Sequence, residues 1–312
     1  MKPIKGMDRA ELEKELGRLR REIEHFQNLA GLTLPRQDSF PQLPGIDYYV
    51  RSQPLQGKVS GDLAITINFH EHNLAKKIER ALEQNNQQLA AALSKNLDRF
   101  GILIADVAGH RITDSTMGVY LYAAFKMGIG YELEQHGEIT PRLFEKLNTR
   151  LYNLVSHSTM ASPPFVTMIY GEVANDGRFR YLLAGHPPPL VFSNENNRLE
   201  KLDGKYTAAS TFLGVLPSRY HHDIEHFEPT FGTKDHYAVN EIALLGQGDI
   251  MLLYTDGLTE QKKGAMNFAG TGLEPLLQEV KAEKAKTIYQ AIMKELRRHS
   301  DDDVTIAVIK KK

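Results

Sequence analysis

The sequence predicts an α+β protein built around a largely antiparallel sheet, and three observations support this fold class. Predicted strands come first, followed by two helices, several strands, a helix pair and a closing strand, an order typical of layered α+β folds. Asn175-Asp176-Gly177 lies between two runs of alternating apolar residues, which is a strong hairpin signal. Two apolar runs end at Asp106 and Asp256, as when a buried strand delivers a carboxylate to its own end.

Composition places the chain among ordinary soluble globular proteins and excludes several chemistries. The 312 residues are 41% hydrophobic, enough for a core in one or two domains. The 38 Lys and Arg nearly balance the 39 Asp and Glu, so net charge indicates neither nucleic-acid nor membrane binding. Cysteine is absent, which excludes disulfides and thiol nucleophiles. No run reaches the roughly 18 apolar residues of a membrane span, and the N-terminus leads into charge, so we expect no membrane span and a cytoplasmic location.

Residues 8 to 30 predict one helix with a narrow apolar strip. The strip consists of Leu12, Leu16, Leu19, Ile23 and Phe26, spaced by four and three residues among charged ones. It is compatible with a short coiled coil or with a helix packed on its own domain. Proline and glycine break the pattern between residues 34 and 45. We therefore expect residues 1–36 to support a homodimer or receive a signal, and 37–312 to form the main domain. Because so short a leader contains no recognisable sensor domain, an activating partner in trans is a plausible source of that signal.

The remaining elements follow in chain order. Alternating residues predict strands at 46–51 and 63–69, and Ala, Leu and Gln predict a helical insertion at about 73–99. The strand ending at Asp106 is followed by helices over 114–136 and from Pro141, where Leu143, Leu147, Leu151 and Leu154 share a face. A hairpin spans 165–184. The region 205–245 is hardest to interpret, and we expect Ile242 to Leu245 to lead into the strand ending at Asp256. Two amphipathic helices fill 273–299, and a last strand covers 304–309.

Acidic residues at predicted strand ends are the candidate functional groups. Asp62, Asp106, Asp256 and the cluster 301–303 are spread over the whole chain. Gathered in one place they would repel one another unless cations lay between them. Oxygen ligands without cysteine favour Mg²⁺ or Mn²⁺ over zinc. Two such ions about 3.5 to 4 Å apart can bridge and activate a water for in-line attack on a phosphate ester.

These residues lie in seven segments that occur in a characteristic order. The segments are Ser60-Gly61-Asp62, Asp106-Val107-Ala108-Gly109-His110, Phe165-Val166-Thr167 with Tyr170-Gly171, Ala184-Gly185-His186 with the following prolines, Phe212-Leu213-Gly214, Gly248-Asp249 through Tyr254 to Glu260, and Asp302-Asp303-Val304-Thr305. Over roughly residues 45 to 310 the chain resembles the bacterial PP2C-like phosphatases of the sporulation stage II E and RsbU type. This resemblance implies a PP2C-like α-β-β-α sandwich, two antiparallel sheets flanked by helix pairs, preceded here by the N-terminal helix.

The resemblance also implies roles for individual residues. Asp106 would bridge two Mn²⁺ or Mg²⁺ ions, with the Val107 backbone carbonyl as a further ligand. Asp256 and Asp302 would hold one metal, and Asp62 would bind it or orient its waters. Asp106 and Asp256 would then be catalytic through metal-activated water. His186 and Gly257, in motif loops, are assigned a substrate or loop role.

The implied function is hydrolysis of phosphoserine or phosphothreonine on a regulatory protein, such as a STAS-type anti-sigma-factor antagonist in a partner-switching pathway. The alternative is a gated or inactive module that keeps the fold and acts through protein contacts. Ser60 and Arg111 replace usual glycines, the aromatic-Asp pair after Asp62 is missing, and the insertion at 73–99 is unusual, but none of these departures removes a ligand. Histidines at 70, 72, 221 and 222 lack metal-site spacing, and no Walker A motif occurs.

Overall fold

A computed structural model describes residues 8–34, 41–55, 60–108, 114–156, 164–219, 232–234, 236–243, 246–260, 262–263, 266–296 and 302–312. Its helices occur in the order that the sequence predicts. They are α1 (Arg9–Ala30), α2 (Leu74–Glu83), α3 (Gln87–Ser94), α4 (Asp114–Gln135), α5 (Pro141–Ser156), the short α6 (Phe268–Thr271), α7 (Leu273–Val280) and α8 (Ala285–Leu296). Short 3-10 helices cover Gly31–Thr33, Phe69–His72, Lys95–Asp98, Gly204–Tyr206 and Asp256–Leu258.

Thirteen strands of the described residues form two sheets and a small hairpin. They are β1 (Ile46–Gln53), β2 (Leu63–Ile67), β3 (Arg99–Val107), β4 (Val166–Ala174), β5 (Phe179–Ala184), β6 (Leu190–Ser193), β7 (Arg198–Glu200), β8 (Ala209–Ser210), β9 (Asn240–Ile242), β10 (Ile250–Tyr254), β11 (Lys262–Lys263), β12 (Met266–Asn267) and β13 (Val304–Lys311). Sheet one has the order β1-β13-β10-β6-β7. Sheet two has the order β2-β3-β4-β5-β8, with β9 also paired to β5. Every pair is antiparallel except β5 with β8.

Three layers of buried apolar side chains show that the fold is an α-β-β-α sandwich. The outer face of sheet two packs against α4 and α5. A second layer fills the space between the sheets, where Ile102 and Ile104 of β3 share a cluster with Met251 and Leu253 of β10. The third layer packs α7 and α8 on the outer face of sheet one. The predicted fold class is therefore confirmed.

The alternation of side chains along the central strands explains their unbroken apolar runs. Successive residues of a strand point to opposite faces of its sheet. On β3, Ile102 and Ile104 face the other sheet, while Leu103 and Ala105 face the helices. Both faces are covered, so both must be apolar. By the same alternation Asp106 points into the space between the sheets, at the edge where β3 ends.

The insertion at 73–99 differs from the single helix that the sequence predicts. It consists of α2, α3 and a 3-10 turn, and the strand β3 already begins at Arg99. The break falls at Asn85, whose φ of 57° is left-handed and incompatible with a continuous helix. Asn86 then begins α3, because its side chain accepts a hydrogen bond from the Leu89 N–H at 3.0 Å. The two short helices pack as a pair, with Leu74 and Leu93 in the core.

Two smaller predictions are also corrected. Ile242 does not lead into the strand that precedes Asp256. It ends β9, which pairs with β5 of sheet two, whereas β10 belongs to sheet one. A turn at Gly248, with φ of 83°, precedes β10. On α5, Leu154 is 51% exposed, because the buried face passes from Leu151 to Val155, four residues further along the helix.

The N-terminal helix forms as predicted, from a capping box. The Asp8 side chain accepts from the Glu11 N–H at 2.8 Å, and the Glu11 side chain accepts from the Asp8 N–H at 3.4 Å. Ala30 at its end is buried against the rest of the protein. The apolar strip is less covered, because Leu12, Leu16 and Ile23 are 38%, 48% and 42% exposed.

Candidate metal centre

Four acidic residues meet at one edge of the sandwich. Asp62 immediately precedes β2, and Asp106 is the penultimate residue of β3, which runs antiparallel to β2. Asp256 follows β10, and Asp302 precedes β13, which runs antiparallel to β10. Antiparallel pairing places the start of one strand beside the end of its neighbour. Each sheet therefore brings two carboxylates to the same edge, and we call these four residues the acidic edge.

Hydrogen bonds between the sheets hold the acidic edge together. The Thr255 hydroxyl, at the end of β10, donates to Oδ2 of Asp62 at 2.8 Å. The Gly61 N–H donates to Oδ2 of Asp303 at 3.0 Å. Each bond joins a residue beside sheet two to one beside sheet one. The separation of the two pairs of acids is therefore fixed by the fold.

The electrostatics of the acidic edge favour a bound cation. Burial raises the pKa of Asp62 well above its usual value, and the charge of Asp106 raises it further. Burial also raises the pKa of Asp256, with the charges of Asp302 and Glu260 adding to the effect. Carboxylates that are costly to ionise beside one another are stabilised as anions by a divalent cation.

The donor set fits a hard divalent cation in chemical type and charge. All four side chains offer oxygen, the ligand that Mg²⁺ and Mn²⁺ prefer. Among the described side chains, no three His, Asp or Glu residues are arranged closely enough to hold a metal ion by themselves. The geometry therefore consists of two pairs of acids, Asp62 with Asp106 and Asp256 with Asp302, rather than one closed ligand cluster.

Of the neighbouring acids, Asp303 has an evident structural role. Its carboxylate accepts from the Leu55 N–H at 2.7 Å and from the Gly61 N–H at 3.0 Å. It thereby ties the loop between β1 and β2 to the start of β13. Asp302 is half-buried, and its Oδ1 accepts from the Asp303 N–H at 2.8 Å. This arrangement supports Asp302 over Asp303 as the candidate ligand, while Asp301 lies outside the described residues.

Val107 and Gly257 directly follow two of the acids, Asp106 and Asp256, in the chain. Val107 ends β3 and is fully buried, and its N–H donates to the Gly61 carbonyl at 3.3 Å. Gly257 follows Asp256 in a 3-10 turn against the start of β13. A Cβ added at Gly257 would lie 2.0 Å from the Asp303 carbonyl oxygen. Only glycine permits this approach, so Gly257 sets the position of the Asp256 turn.

His186 lies behind the acidic edge. It is 4% exposed, and its Nδ1 is 2.8 Å from the hydroxyl of Thr167, which pairs with Asp106 across β3 and β4. Burial lowers the pKa of His186 to about 3, so the ring is neutral at pH 7. A buried, neutral ring supports the loop role over contact with substrate.

Sequence reasoning assigned no role to two threonines that organise the site. Thr255 and Thr305 are fully buried. The Thr305 N–H donates to the Thr255 hydroxyl at 3.0 Å, and the Thr305 hydroxyl donates to Ser52 Oγ at 2.7 Å. The alternation of residues along the strands could have identified them. Thr255, just after β10, and Thr305, on β13, each lie next to residues that face the helices, so both threonines face the other sheet. A polar residue at such a position needs a partner there.

Among the described residues, the other histidines form no second metal site. His70 lies in the 3-10 turn Phe69–His72, which begins at the last residue of the predicted strand 63–69, and its Nε2 is 3.1 Å from the Leu97 carbonyl. His236 pairs with Glu145 at 2.5 Å. Residues 109–113 and 220–231, which include the histidines at 110, 221, 222 and 226 and Arg111, lie outside the described residues. In the part of the chain that the structure describes, no helix has the length and apolarity needed to cross a membrane.

The two-sheet sandwich, the outer helix pairs and the acidic edge define the class of the protein, a PP2C-type protein serine/threonine phosphatase. Within this class the particular family is given by sequence. The family model described as Stage II sporulation protein E (SpoIIE) matches residues 96–312, and the chain belongs to this family.

Individual relatives agree with this assignment. The chain is 25% identical over 283 residues to the phosphoserine phosphatase RsbU of Bacillus subtilis (strain 168), covering 85% of this chain and 75% of that protein. The SiaA-PP2C domain of Pseudomonas aeruginosa is similar in fold, with a TM-score of 0.64 at 14% identity, covering 97% of this chain and all of that domain. A structure of RsbU and RsbW domains from Mycobacterium tuberculosis has a TM-score of 0.59 at 21% identity, covering 89% of this chain. The chain spans 64% of the length of that two-domain structure.

Proposed function

We propose that this protein is a metal-dependent phosphatase that hydrolyses phosphoserine or phosphothreonine on a regulatory protein. The observation that carries the proposal is the acidic edge, where two antiparallel sheets each present two carboxylates and the Thr255–Asp62 hydrogen bond joins them. Repulsion between neighbouring carboxylates raises the pKa of both Asp62 and Asp256 in addition to burial. Such an arrangement destabilises the fold, and bound cations would relieve the repulsion between the acids.

The proposed roles follow from position. Asp62 and Asp106 would hold cations from sheet two, and Asp256 and Asp302 from sheet one, with the Val107 carbonyl beside them. Two Mn²⁺ or Mg²⁺ ions bound there would supply an activated water and neutralise the phosphoryl oxygens. The chain itself orients the acids and opposes part of the rise in pKa that burial and mutual repulsion cause. Thr255 does so for Asp62, because its hydrogen bond favours the charged form of that carboxylate.

The proposed substrate class is a phosphorylated regulatory protein, with a STAS-type anti-sigma-factor antagonist as the specific candidate. Two findings support it. The Bacillus relative is named a phosphoserine phosphatase, and a similar solved structure combines RsbU and RsbW domains. A cytoplasmic location belongs to the same proposal, because an antagonist of an anti-sigma factor acts on transcription.

The proposal is tested by activity and by metal binding measured separately. Purified protein is assayed with Mn²⁺ or Mg²⁺ on a phosphoserine peptide and on p-nitrophenyl phosphate, beside Asp106→Asn and Asp256→Asn. We expect each variant to lose at least about 100-fold in turnover, since even changes outside the ligand shell cost 10- to 100-fold. Titration calorimetry with Mn²⁺ should show weakened binding in both. Asp176→Asn, on the exposed hairpin turn, is the matched control. Equal turnover in all four proteins would refute the metal site.

We also propose that α1 regulates this activity as the interface of a homodimer or of an activating partner. The exposed side chains of Leu12, Leu16 and Ile23 support it, because they form one apolar strip on a helix whose other residues are mostly charged. In the same proposal, residues 1–36 act as a regulatory segment and 37–312 as the phosphatase domain.

The test of the α1 proposal compares full-length protein with protein lacking residues 1–36. Leu16→Glu and the control Lys14→Glu, both at exposed positions of α1, are measured beside them. Light scattering gives the mass in solution and the phosphoserine peptide gives activity. Deletion and Leu16→Glu should each change mass or activity, and Lys14→Glu should change neither. If the deletion alters neither quantity, the proposal is wrong.

A further inference from the structure

A basic groove lies at the edge of sheet one opposite the acidic edge. It is formed where β1 and β10 begin and β13 ends, and its volume is about 760 Å³. The strand β13 connects the two edges, since it follows Asp302 and ends at Lys311. Its eight residues separate them by about 23 Å at 3.3 Å per residue. The groove is therefore remote from the proposed phosphatase site.

The lining of the groove is strongly cationic. Its charged side chains are five lysines and two acids, Asp47 and Glu283, which give a formal side-chain charge of +3. The lysines are Lys281, Lys284, Lys310, Lys311 and Lys312. The whole chain has a net charge of −1, so the groove is a local concentration of positive charge.

Three of the lysines are held in place by groups without formal charge. Lys310 Nζ donates to the carbonyls of Lys281 and Glu283, at 2.6 and 2.8 Å. Lys281 Nζ donates to Asn197 Oδ1 at 2.9 Å, and Lys311 Nζ donates to the Asn175 carbonyl at 2.8 Å. Carbonyl acceptors orient an ammonium group without neutralising it. Over the residues that the structure describes, none of the five lysines forms an ion pair with a carboxylate within 4 Å.

The acids of the groove leave most of this charge in place. Asp47 accepts from the Ala285 N–H at 2.8 Å and so caps the start of α8. Partial burial lowers the pKa of Lys310, against the opposing effect of Asp47 and Glu283. An anion bound in the groove would therefore meet three ammonium groups that are already positioned, which reduces the entropy cost of binding.

We propose that this groove binds an acidic segment of a partner protein, rich in Asp and Glu. Its volume exceeds that of a single phosphate and is sufficient for several residues of an extended chain. Asn194 and Gln247 add neutral amide side chains, which suit the polar groups of a peptide. Among the described residues, the lining has no aromatic ring on which a nucleic-acid base could stack and no large apolar side chain that would enter a membrane.

The proposal is tested by titrating a fluorescently labelled Glu-rich octapeptide into the full-length protein at about 50 mM salt and again at about 300 mM. The test variant combines Lys284→Glu with Lys312→Glu, because both residues are exposed and fold retention is expected. The control combines Lys76→Glu with Lys294→Glu, exposed lysines on α2 and α8, and so matches the change in net charge. Folding of both is checked by thermal unfolding.

We expect the peptide to bind the wild type and the control variant with equal affinity, and to bind the groove variant at least about 10-fold more weakly. Binding should weaken at the higher salt concentration. Three outcomes would overturn the proposal: no binding to the wild type, an equal loss in the control variant, or tighter binding of a length-matched oligothymidylate or of phosphatidylserine vesicles than of the peptide. Turnover of p-nitrophenyl phosphate should be the same in all three proteins, since the groove lies at the opposite edge.

Discussion

Replacing Thr255 with valine tests how the two sheets cooperate at the acidic edge. The substitution keeps the side-chain shape but removes the hydroxyl that donates to Asp62 at 2.8 Å and accepts from the Thr305 N–H at 3.0 Å. A hydrogen bond to a charged group contributes about 1.5 to 3 kcal/mol, and a buried donor left without its acceptor costs about 1 to 3 kcal/mol. Because Thr255 is fully buried, we expect the free energy of unfolding to fall by about 3 kcal/mol in all.

The matched control is Thr255→Ser, which keeps the hydroxyl and loses one methyl group. Burial of that methyl contributes about 0.8 kcal/mol, so the free energy of unfolding of the serine variant should be about 2 kcal/mol higher than that of the valine variant. Urea unfolding of metal-free protein measures both values. If the valine variant lies within about 0.5 kcal/mol of the wild type, or if serine and valine are equally destabilising, the cross-sheet hydrogen bond does not hold the edge together.

The same pair of variants separates a chemical role from a structural one. The hydrogen bond from Thr255 lowers the pKa of Asp62, which burial and the charge of Asp106 raise. Without it, Asp62 ionises at higher pH, and a metal ligand must be ionised to bind. Affinity for Mn²⁺ should therefore fall in Thr255→Val, and the acidic limb of the activity profile should move to higher pH. Thr255→Ser should restore both, which recovery of stability alone would not explain.

Three further predictions concern the turns beside the site and one buried lysine. Gly257→Ala should lower the free energy of unfolding in urea by about 2 kcal/mol or more and reduce activity, because its Cβ would lie 2.0 Å from the Asp303 carbonyl oxygen. The control Gly270→Ala, at a position with open space around it, should change neither stability nor activity. Asp302→Asn should weaken Mn²⁺ binding with little loss of stability. Asp303→Asn should lower the free energy of unfolding by about 1 to 2 kcal/mol, because the Asp303 carboxylate accepts two backbone N–H groups. If both variants changed Mn²⁺ binding and stability equally, the assignment of Asp302 as ligand and Asp303 as structural would be contradicted. Burial lowers the pKa of Lys234 from 10.5 to about 7. Between these values the unfolded chain binds more protons than the folded chain, so the stability of the wild type relative to Lys234→Met should rise from about pH 7 to about pH 10.

The Lys234 prediction depends on the surroundings of that side chain. Its Nζ donates to the carbonyls of Thr211 and Phe212, both at 3.3 Å, and to the Tyr237 hydroxyl. Glu145 opposes the effect of burial on the pKa of Lys234 without reversing it. Urea unfolding at several pH values, with wild type and Lys234→Met compared at each, isolates the contribution of Lys234 from other groups. If the difference in unfolding free energy between the two proteins stayed constant across the pH range, the lowered pKa of Lys234 would be contradicted.

The sequence was sufficient for the predictions that depend on local or repeating chemistry. Asp8 and Glu11 specify the start of α1 through a capping box, and Asp176-Gly177 specifies the hairpin, where Gly177 has φ of 93°. The order of strands and helices likewise predicted a layered α+β fold, and the family resemblance implied its two-sheet sandwich. The capping box and the hairpin turn form because the residues that define them are neighbours in the chain.

Other predictions failed where a tertiary contact or one backbone angle decided the outcome. The segment 73–99 has the composition of a single helix, but the left-handed Asn85 divides it into a packed pair. Ile242 appeared to continue toward Asp256, yet it pairs with β5 within sheet two, whereas the strand before Asp256 belongs to sheet one. Helical composition and apolar runs do not state which sheet a segment joins, because that choice depends on residues far away in the chain.

At the candidate site the division is similar. The amino-acid sequence predicted which acids lie beside strand ends and, through the resemblance they carry, which chemistry to expect of Asp62, Asp106, Asp256 and Asp302. The folded structure was needed to show that Asp62 is held by Thr255 of the opposite sheet, that Asp303 is engaged by backbone N–H groups, and that His186 is buried behind the site. A side chain's partners and pKa depend on burial and on charges that folding brings together, and the residues concerned here are separated by up to 248 positions in the chain.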